Sequence, residues 1–289
     1  MTQTELIQSS VQGDKQALET LLRSVQPLIF NYALRMLSNR EDAEDATQEI
    51  MLRIVTHLAG FRFESEFSTW CYSIATNCLL TSRKRRSERH HLSFEEFGLD
   101  LGQDLAEVEH HLETLENRLL AEEVKITCTQ AMLLCLSREE RAAYILGEIL
   151  GMTDTEAALV CSVQPAAFRK RLSRAREQVR SFTIAHCGWV NPQNPCRCGK
   201  RIAAAVRGGR INPDSLEFAR RGDQPALQIY IQSLDLLDRT AGLYRSHPEQ
   251  ASNRRWLGVS LDWVWSTIKH DNFHQQSKCS GRITRAAKQ

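Results

Sequence analysis

The residues of this chain best suited to chemistry are concentrated in one short segment, HCGWVNPQNPCRCG, which carries His186, Cys187, Cys196 and Cys198. Thiolates with an imidazole are the ligand set of tetrahedral zinc, which makes Cys187, Cys196 and Cys198 candidate metal ligands. The spacing, C-x8-C-x-C, is not that of a standard zinc finger, and His186 stands awkwardly beside Cys187 for a co-ligand. A thiol–disulfide switch and a plain turn rich in Cys, Asn and Pro therefore stay open beside a structural zinc. The chain has nine Cys, an odd number. Cys71, Cys78, Cys128, Cys135 and Cys161 stand singly on helical patterns and read as small core residues.

A second kind of chemistry is carried by cations. Net charge is only +2, yet Arg83, Lys84, Arg85, Arg86 and Arg89 form one basic cluster, and Arg169, Lys170, Arg171, Arg174, Arg176 and Arg180 form another. Between them lies an acidic stretch with Glu95, Glu96, Asp100, Asp104, Glu107, Glu109, Glu113 and Glu116. Two basic surfaces held apart by an acidic spacer suit two separate contacts with phosphate. Phe61, Phe63, Phe67 and Trp70 precede the first cluster, where aromatic faces can stack on bases drawn out of a duplex. The same aromatic spacing equally fits a helical core with a solvated basic end. No G-x-x-x-x-G-K-[ST] loop occurs, so the reading is of binding without nucleotide hydrolysis: no enzyme, and no required cofactor.

The elements that must position these residues read as helices throughout. Leu18, Leu21, Leu22, Val25, Leu28, Ile29, Tyr32 and Ala33 recur at helical spacing after a capping Asp14. Residues 40–58 form an amphipathic helix, with Ala43, Ala46, Ile50 and Ile54 on its apolar stripe and Asp42, Asp45, Gln48, Glu49 and Leu52 on another face. Ser65 or Ser68 is placed to cap the helix that carries Trp70 and Ile74. Helices are expected over 119–136 and 138–150, the latter stopped by Gly151 in the left-handed region. Thr153 caps a short helix through Val160, and Pro165 opens a longer one through about Thr183. Two helices joined by a tight turn, the second rich in Arg, make a helix-turn-helix.

With those residues in place, two stretches resemble the extracytoplasmic-function sigma factors of bacterial RNA polymerase. The family shows F-x-x-x-S-x-F-x-T-W-L-x-x-I-A-x-N followed by basic residues. Here the pattern stands as Phe61, Ser65, Phe67, Thr69, Trp70, Ile74, Ala75 and Asn77, with Cys71 in place of the usual Leu. The preceding NREDAEDATQEIMLRIVTHL is similar to the family's D-A-E-D-x-x-Q-E helix. LSREERAAYILGEILGMTDTEAALVCSVQPAAFRKRLSRAREQV resembles its region 4, although QPAAFR replaces a common S-x-G-T-V-K. The resemblance implies that Asp42, Asp45, Gln48, Glu49 and Leu52 dock on the β′ clamp helices of core polymerase, with the β flap as a further contact. It implies that Ser65, Phe67, Trp70, Asn77, Arg83, Arg85 and Arg86 face the melted −10 element. It places Gln164, Arg169, Lys170, Arg171, Arg174 and Arg176 on the −35 element.

The organisation expected is all-α. Residues 1–91 form sigma region 2, 92–116 an acidic linker, 117–183 the region 4 helix-turn-helix, and 184–270 an extension holding the Cys cluster. Residues 271–289 form a basic tail without fixed structure. Leu227, Ile231, Leu234 and Ala241 mark one amphipathic segment of the extension, and Leu257, Leu261, Val264 and Ile268 a second. The expected partners are core polymerase, promoter DNA and an anti-sigma factor or other regulator. The first ten residues lack the pattern of a signal peptide and no apolar run is long enough to span a membrane, so a cytoplasmic location without membrane insertion is expected. Alternatives are a stand-alone helix-turn-helix regulator, an interaction protein whose extension sequesters the sigma domains, and a metal-dependent enzyme using the Cys cluster with His110 or His111.

Overall fold

The computed structural model describes residues 1–82, 93–103, 105–106, 114–219 and 236–252. Eleven α-helices follow from local rules among these residues. Thr2 and Glu5 close a capping box on α1 (Gln3–Val11). Asp14 caps α2 (Lys15–Leu37), its carboxylate accepting the Gln16 and Ala17 N–H groups at 2.9 and 3.1 Å. Asn39 caps α3 (Arg40–His57). The next helix, α4 (Phe67–Thr81), starts after Glu66 without any side-chain cap, so neither Ser65 nor Ser68 plays the expected part.

The acidic linker contains a docked helix, α5 (Phe94–Gly102), closed by a Ser93–Glu96 capping box. Its Phe97 stacks on Phe182 with ring centroids 5.4 Å apart. The helix-turn-helix region begins with α6 (Leu115–Leu134) and α7 (Arg138–Tyr144), the latter continued by a π-turn over Ile145–Ile149. Gly151, at φ +69°, ends the turn as expected. A Thr153–Glu156 capping box starts α8 (Asp154–Val160), and Pro165 opens α9 (Pro165–His186), which runs three residues beyond Thr183. In the extension lie α10 (Cys198–Arg207) and α11 (Leu236–Arg245). Helix α10 was not foreseen. Leu227, Ile231 and Leu234, the whole second amphipathic segment and the basic tail lie outside the described residues.

One apolar core runs through both halves of the chain: Leu18, Tyr32 and Ile50 belong to it together with Tyr144, Phe168 and Val179. Each such side chain removed from water contributes roughly 1.5–3 kcal/mol. Arg141 is the polar joint of this core. It is 4% exposed, and its guanidinium donates to the carbonyls of Leu133 (2.8 Å), Leu136 (3.2 Å) and Met36. One side chain thereby satisfies carbonyls at the ends of both α6 and α2, which a helix terminus otherwise leaves without partners. At Gly147 a Cβ would stand 2.7 Å from a methyl of Leu172, so glycine lets α9 approach the π-turn. A smaller core joins α6 to the extension through Leu120, Val124, Ile202 and Ile211.

Candidate functional site

The helix-turn-helix presents α9 as its outward face. Gln164, Arg169, Lys170 and Arg174 are exposed and Arg171 is half-buried, while Phe168, Leu172, Ala175 and Val179 turn inward. The helical period thus puts the cations on one side and the anchor on the other. Arg169 reaches Asp154 at 3.9 Å. Arg176 departs from the expected pattern: it pairs with Glu148, whose carboxylate also meets Arg245 of α11 at 3.3 Å. The arrangement can hold phosphates along the exposed cations and bring Gln164 and the first turn to base edges.

The aromatic loop before α4 is held by its own stacking. Phe61 packs on Phe67 (5.5 Å), Trp70 (5.3 Å) and Phe63 (4.8 Å). Phe67 is 1% exposed, so it supports the loop and presents no face to a ligand. Ser65 and Trp70 are half-buried and Asn77 is exposed. Arg83, Arg85 and Arg86 lie outside the described residues. Phe63, one of the loop aromatics but outside the −10 set that the resemblance implies, is half-exposed at the loop tip with φ +58°, a backbone setting uncommon for an aromatic residue. Its place among the loop aromatics was the available signal.

On α3, Asp45 is exposed, and Asp42, Gln48, Glu49 and Leu52 are half-buried along the same side. Glu49 pairs with Arg53 at 2.7 Å. Beside this face, Arg40 donates to the carbonyls of Glu217 and Ala251, which brings the extension to the start of α3. Asn31 and Gln250 exchange reciprocal bonds of 3.0 and 2.8 Å. The Glu123 carboxylate, 2% exposed, accepts the backbone N–H groups of Glu217, Phe218 and Ala219. Asp100 of α5 receives Arg210 and, at 3.0 Å, Arg201, and these cations hold its carboxyl below the usual range.

The Cys segment gathers more thiols than the sequence placed there. Cys128, read as a core residue on α6, lines one cavity with Cys187, Cys196 and Cys198. The backbones of Cys187 and Cys196 pair in an isolated parallel β-bridge, and the Trp189 indole N–H donates to the Cys198 sulfur at 3.2 Å. Burial pushes all four thiols up, Cys196 to about 11, with Arg197 and Arg201 opposing at Cys196. His186 turns aside and packs its ring on Phe182, 4.7 Å away. His110 and His111 lie outside the described residues. Among the described residues, no three His, Cys, Asp or Glu side chains already stand at metal-holding distance, and no helix is long and apolar enough to cross a membrane.

Comparison with known proteins matches residues 21–89 to the family described as Sigma-70 region 2, and residues 126–179 to Sigma-70, region 4. The RNA polymerase sigma-H factor of Pseudomonas aeruginosa is 28% identical over 181 residues, 61% of this chain and 90% of that protein. The ECF RNA polymerase sigma-E factor of Haemophilus influenzae is 29% identical over 185 residues, 63% of this chain and 95% of that protein. Among solved structures, the sigma factor RpoE in complex with the anti-sigma factor NepR from Bartonella quintana is similar over 56% of this chain and 92% of that chain. The identity is 20% and the TM-score 0.37.

Proposed function

This chain belongs to the extracytoplasmic-function sigma factors, and from that premise we propose how its surfaces divide the work of initiating transcription. It is an initiation factor and not an enzyme: it directs RNA polymerase to promoters. The observation that carries this reading is the pair of sigma segments in chain order, the second of which ends in the exposed cations of α9.

In our reading Asp42, Asp45, Gln48, Glu49 and Leu52 hold the β′ clamp helices, and the region 4 helices meet the β flap. Gln164, Arg169, Lys170, Arg171 and Arg174 take the −35 groove, where cations on phosphates supply affinity and the first turn supplies specificity. Ser65, Trp70, Asn77 and the exposed Phe63 take the melted −10 strand, with Arg83, Arg85 and Arg86 on its phosphates. Phe67 supports the −10 loop from behind, as its burial suggests, and Arg176, exposed on α9, is engaged by Glu148. We place the protein in the cytoplasm with the polymerase, and an anti-sigma factor or other regulator among its partners. A sigma factor of this kind needs no cofactor, and a structural zinc at Cys187, Cys196 and Cys198 is part of the proposal.

The extension favours a second, compatible reading as an internal regulator, because Arg40, Asn31 and Glu123 all grip it from the sigma helices. The primary test is run-off transcription with core polymerase, beside co-purification with core enzyme. Reversing Asp45 and Glu49 to Lys is expected to abolish co-purification and transcription while leaving helicity unchanged. Full binding by the double variant would remove the docking assignment.

A further inference from the structure

We propose that Cys128, Cys187, Cys196 and Cys198 are the four ligands of one structural metal site, occupied by an ion of the zinc class, which fastens the C-terminal extension to α6. The argument begins with convergence. Cys128 lies in the second half of α6, Cys187 follows the last residue of α9, Cys196 belongs to the loop and Cys198 opens α10. The three cysteines of the short segment and Cys128 of α6 line one cavity. In a protein with scattered single cysteines elsewhere, core packing alone does not call for that gathering.

The loop is built to present its sulfurs. The Trp189 indole N–H donates to the Cys198 sulfur at 3.2 Å. A neutral thiol is a weak acceptor, whereas a metal-bound thiolate is stabilised by such donors. Gly188 makes the turn narrow: a Cβ there would stand 2.2 Å from the Cys196 carbonyl oxygen, and the Gly188 N–H donates to that same oxygen at 3.1 Å. Asn194 pins the loop to the carbonyls of Ile184 (2.9 Å) and Cys187 (3.3 Å). Arg197 ties Pro192 and Cys196 together.

The donor set selects the ion. Four soft thiolates, with His186 turned away on Phe182, suit tetrahedral zinc and exclude magnesium or calcium, which take oxygen ligands. Four thiolates around a divalent ion leave a net charge of −2, and Lys125, Arg197 and Arg201 surround the cluster to offset it. The four sulfurs do not stand at ligating distance in this arrangement, so binding requires them to close inward around the ion. A disulfide between Cys187 and Cys196, whose backbones pair, is the competing use of the loop. It would leave Cys128 and Cys198 idle, although the Trp189 indole N–H is aimed at Cys198.

The site is tested on the full chain purified in reducing buffer. Elemental analysis is expected to find one zinc per chain. Cobalt(II) put in its place is expected to give the charge-transfer bands and d–d intensity of a tetrahedral thiolate site, and X-ray absorption at the metal edge to count four sulfurs. Cys128→Ser is expected to lose the stoichiometric zinc, while Cys135→Ser, buried outside the cavity, keeps it. Trp189→Phe keeps the ring but removes the indole donor, and is expected to release zinc to a chelator roughly tenfold faster. Metal-free protein that takes up no cobalt overturns the proposal, as do fewer than four sulfurs in the wild-type spectrum, undiminished zinc in Cys128→Ser, or a Cys187–Cys196 disulfide in the isolated protein. The spectroscopic measurements need no variant, so a misfolded Cys128→Ser leaves them decisive. None of these outcomes bears on polymerase or promoter binding, which run-off transcription reads separately.

Discussion

The arginine-rich helix α9 and the seat of the extension use polar groups in opposite ways. On α9, Arg169, Lys170 and Arg174 stand in water, and Arg169 meets Asp154 only at 3.9 Å. At the seat, Glu123 is 2% exposed and closes on three successive backbone N–H groups, and Asn31 and Gln250 satisfy each other. A solvated cation costs little to leave without a protein partner and is available to a phosphate. A buried carboxylate has no such latitude, since losing its donors exposes the full penalty of its desolvation. One region is therefore built to bind something else, and the other to hold the chain's own surfaces together.

The largest effect should come from breaking the seat. Glu123→Gln replaces one of two acceptor oxygens by a donor that faces the N–H groups of residues 217–219. Stranding even one buried donor costs about 1–3 kcal/mol, and that loss is expected in urea unfolding, with faster proteolysis of the extension. If the extension restrains the sigma surfaces, the same variant raises run-off transcription. An unchanged unfolding midpoint would mean that this carboxylate does not hold the extension.

A smaller, pH-dependent effect should come from His247. Its Nε2 lies 2.9 Å from the Thr129 hydroxyl, and burial, followed by the charges of Lys125 and Arg35, holds its pKa well below the ordinary 6.5. The unfolded chain takes up a proton as pH falls through about 6.5, while the folded chain does so only at lower pH. Stability is therefore full above that value and declines below it, by at most about 1.4 kcal/mol per pH unit for one proton. His247→Gln should flatten this acid limb in thermal unfolding between pH 6.5 and 5. A variant with the same slope as the parent would place the acid sensitivity in other groups.

Legibility followed how local each determinant is. Asp14, Gly151, Thr153 and Pro165 act within one turn of their own position, and each stands at the helix boundary expected of it. The family pattern containing Leu136, Arg141, Leu146 and Gly151 was visible, but what Arg141 does was not, because Met36 is a neighbour only after folding. Helix α5 was hidden by its charge: Glu95, Glu96 and Asp100 mask a period in which Phe97 and Leu101 face inward. Cys128 looked like its buried counterparts Cys71 and Cys135, since a lone Cys on a helix carries no mark of what the fold brings to it. Phe67 read as a ligand-facing aromatic because its motif position is shared with surface residues, whereas stacking on Phe61 and Trp70 draws it inside.

The smallest effect on stability should come from α9, and that is where the comparison can be broken outright. Arg174 is exposed on the face away from Phe168 and Leu172, and Arg171 is half-buried at the flank of that apolar stripe. Surface substitutions of this kind usually change stability by no more than about 0.5 kcal/mol, so Arg171→Ala and Arg174→Ala should unfold with the parent. Promoter binding should respond differently. A cation that neutralises a phosphate releases a counterion, so its loss weakens binding to all sequences and lowers the slope of log affinity against log salt by about one. A cation on a base edge instead gives up about 1–3 kcal/mol of discrimination at a single position and leaves the rest unaltered. Measuring affinity for a −35 duplex and for its scrambled counterpart across a salt series separates these roles for each arginine. Should both variants unfold early and bind DNA as the parent does, α9 would belong with the seat of the extension, its cations serving the fold, and the groove assignment would have to move elsewhere.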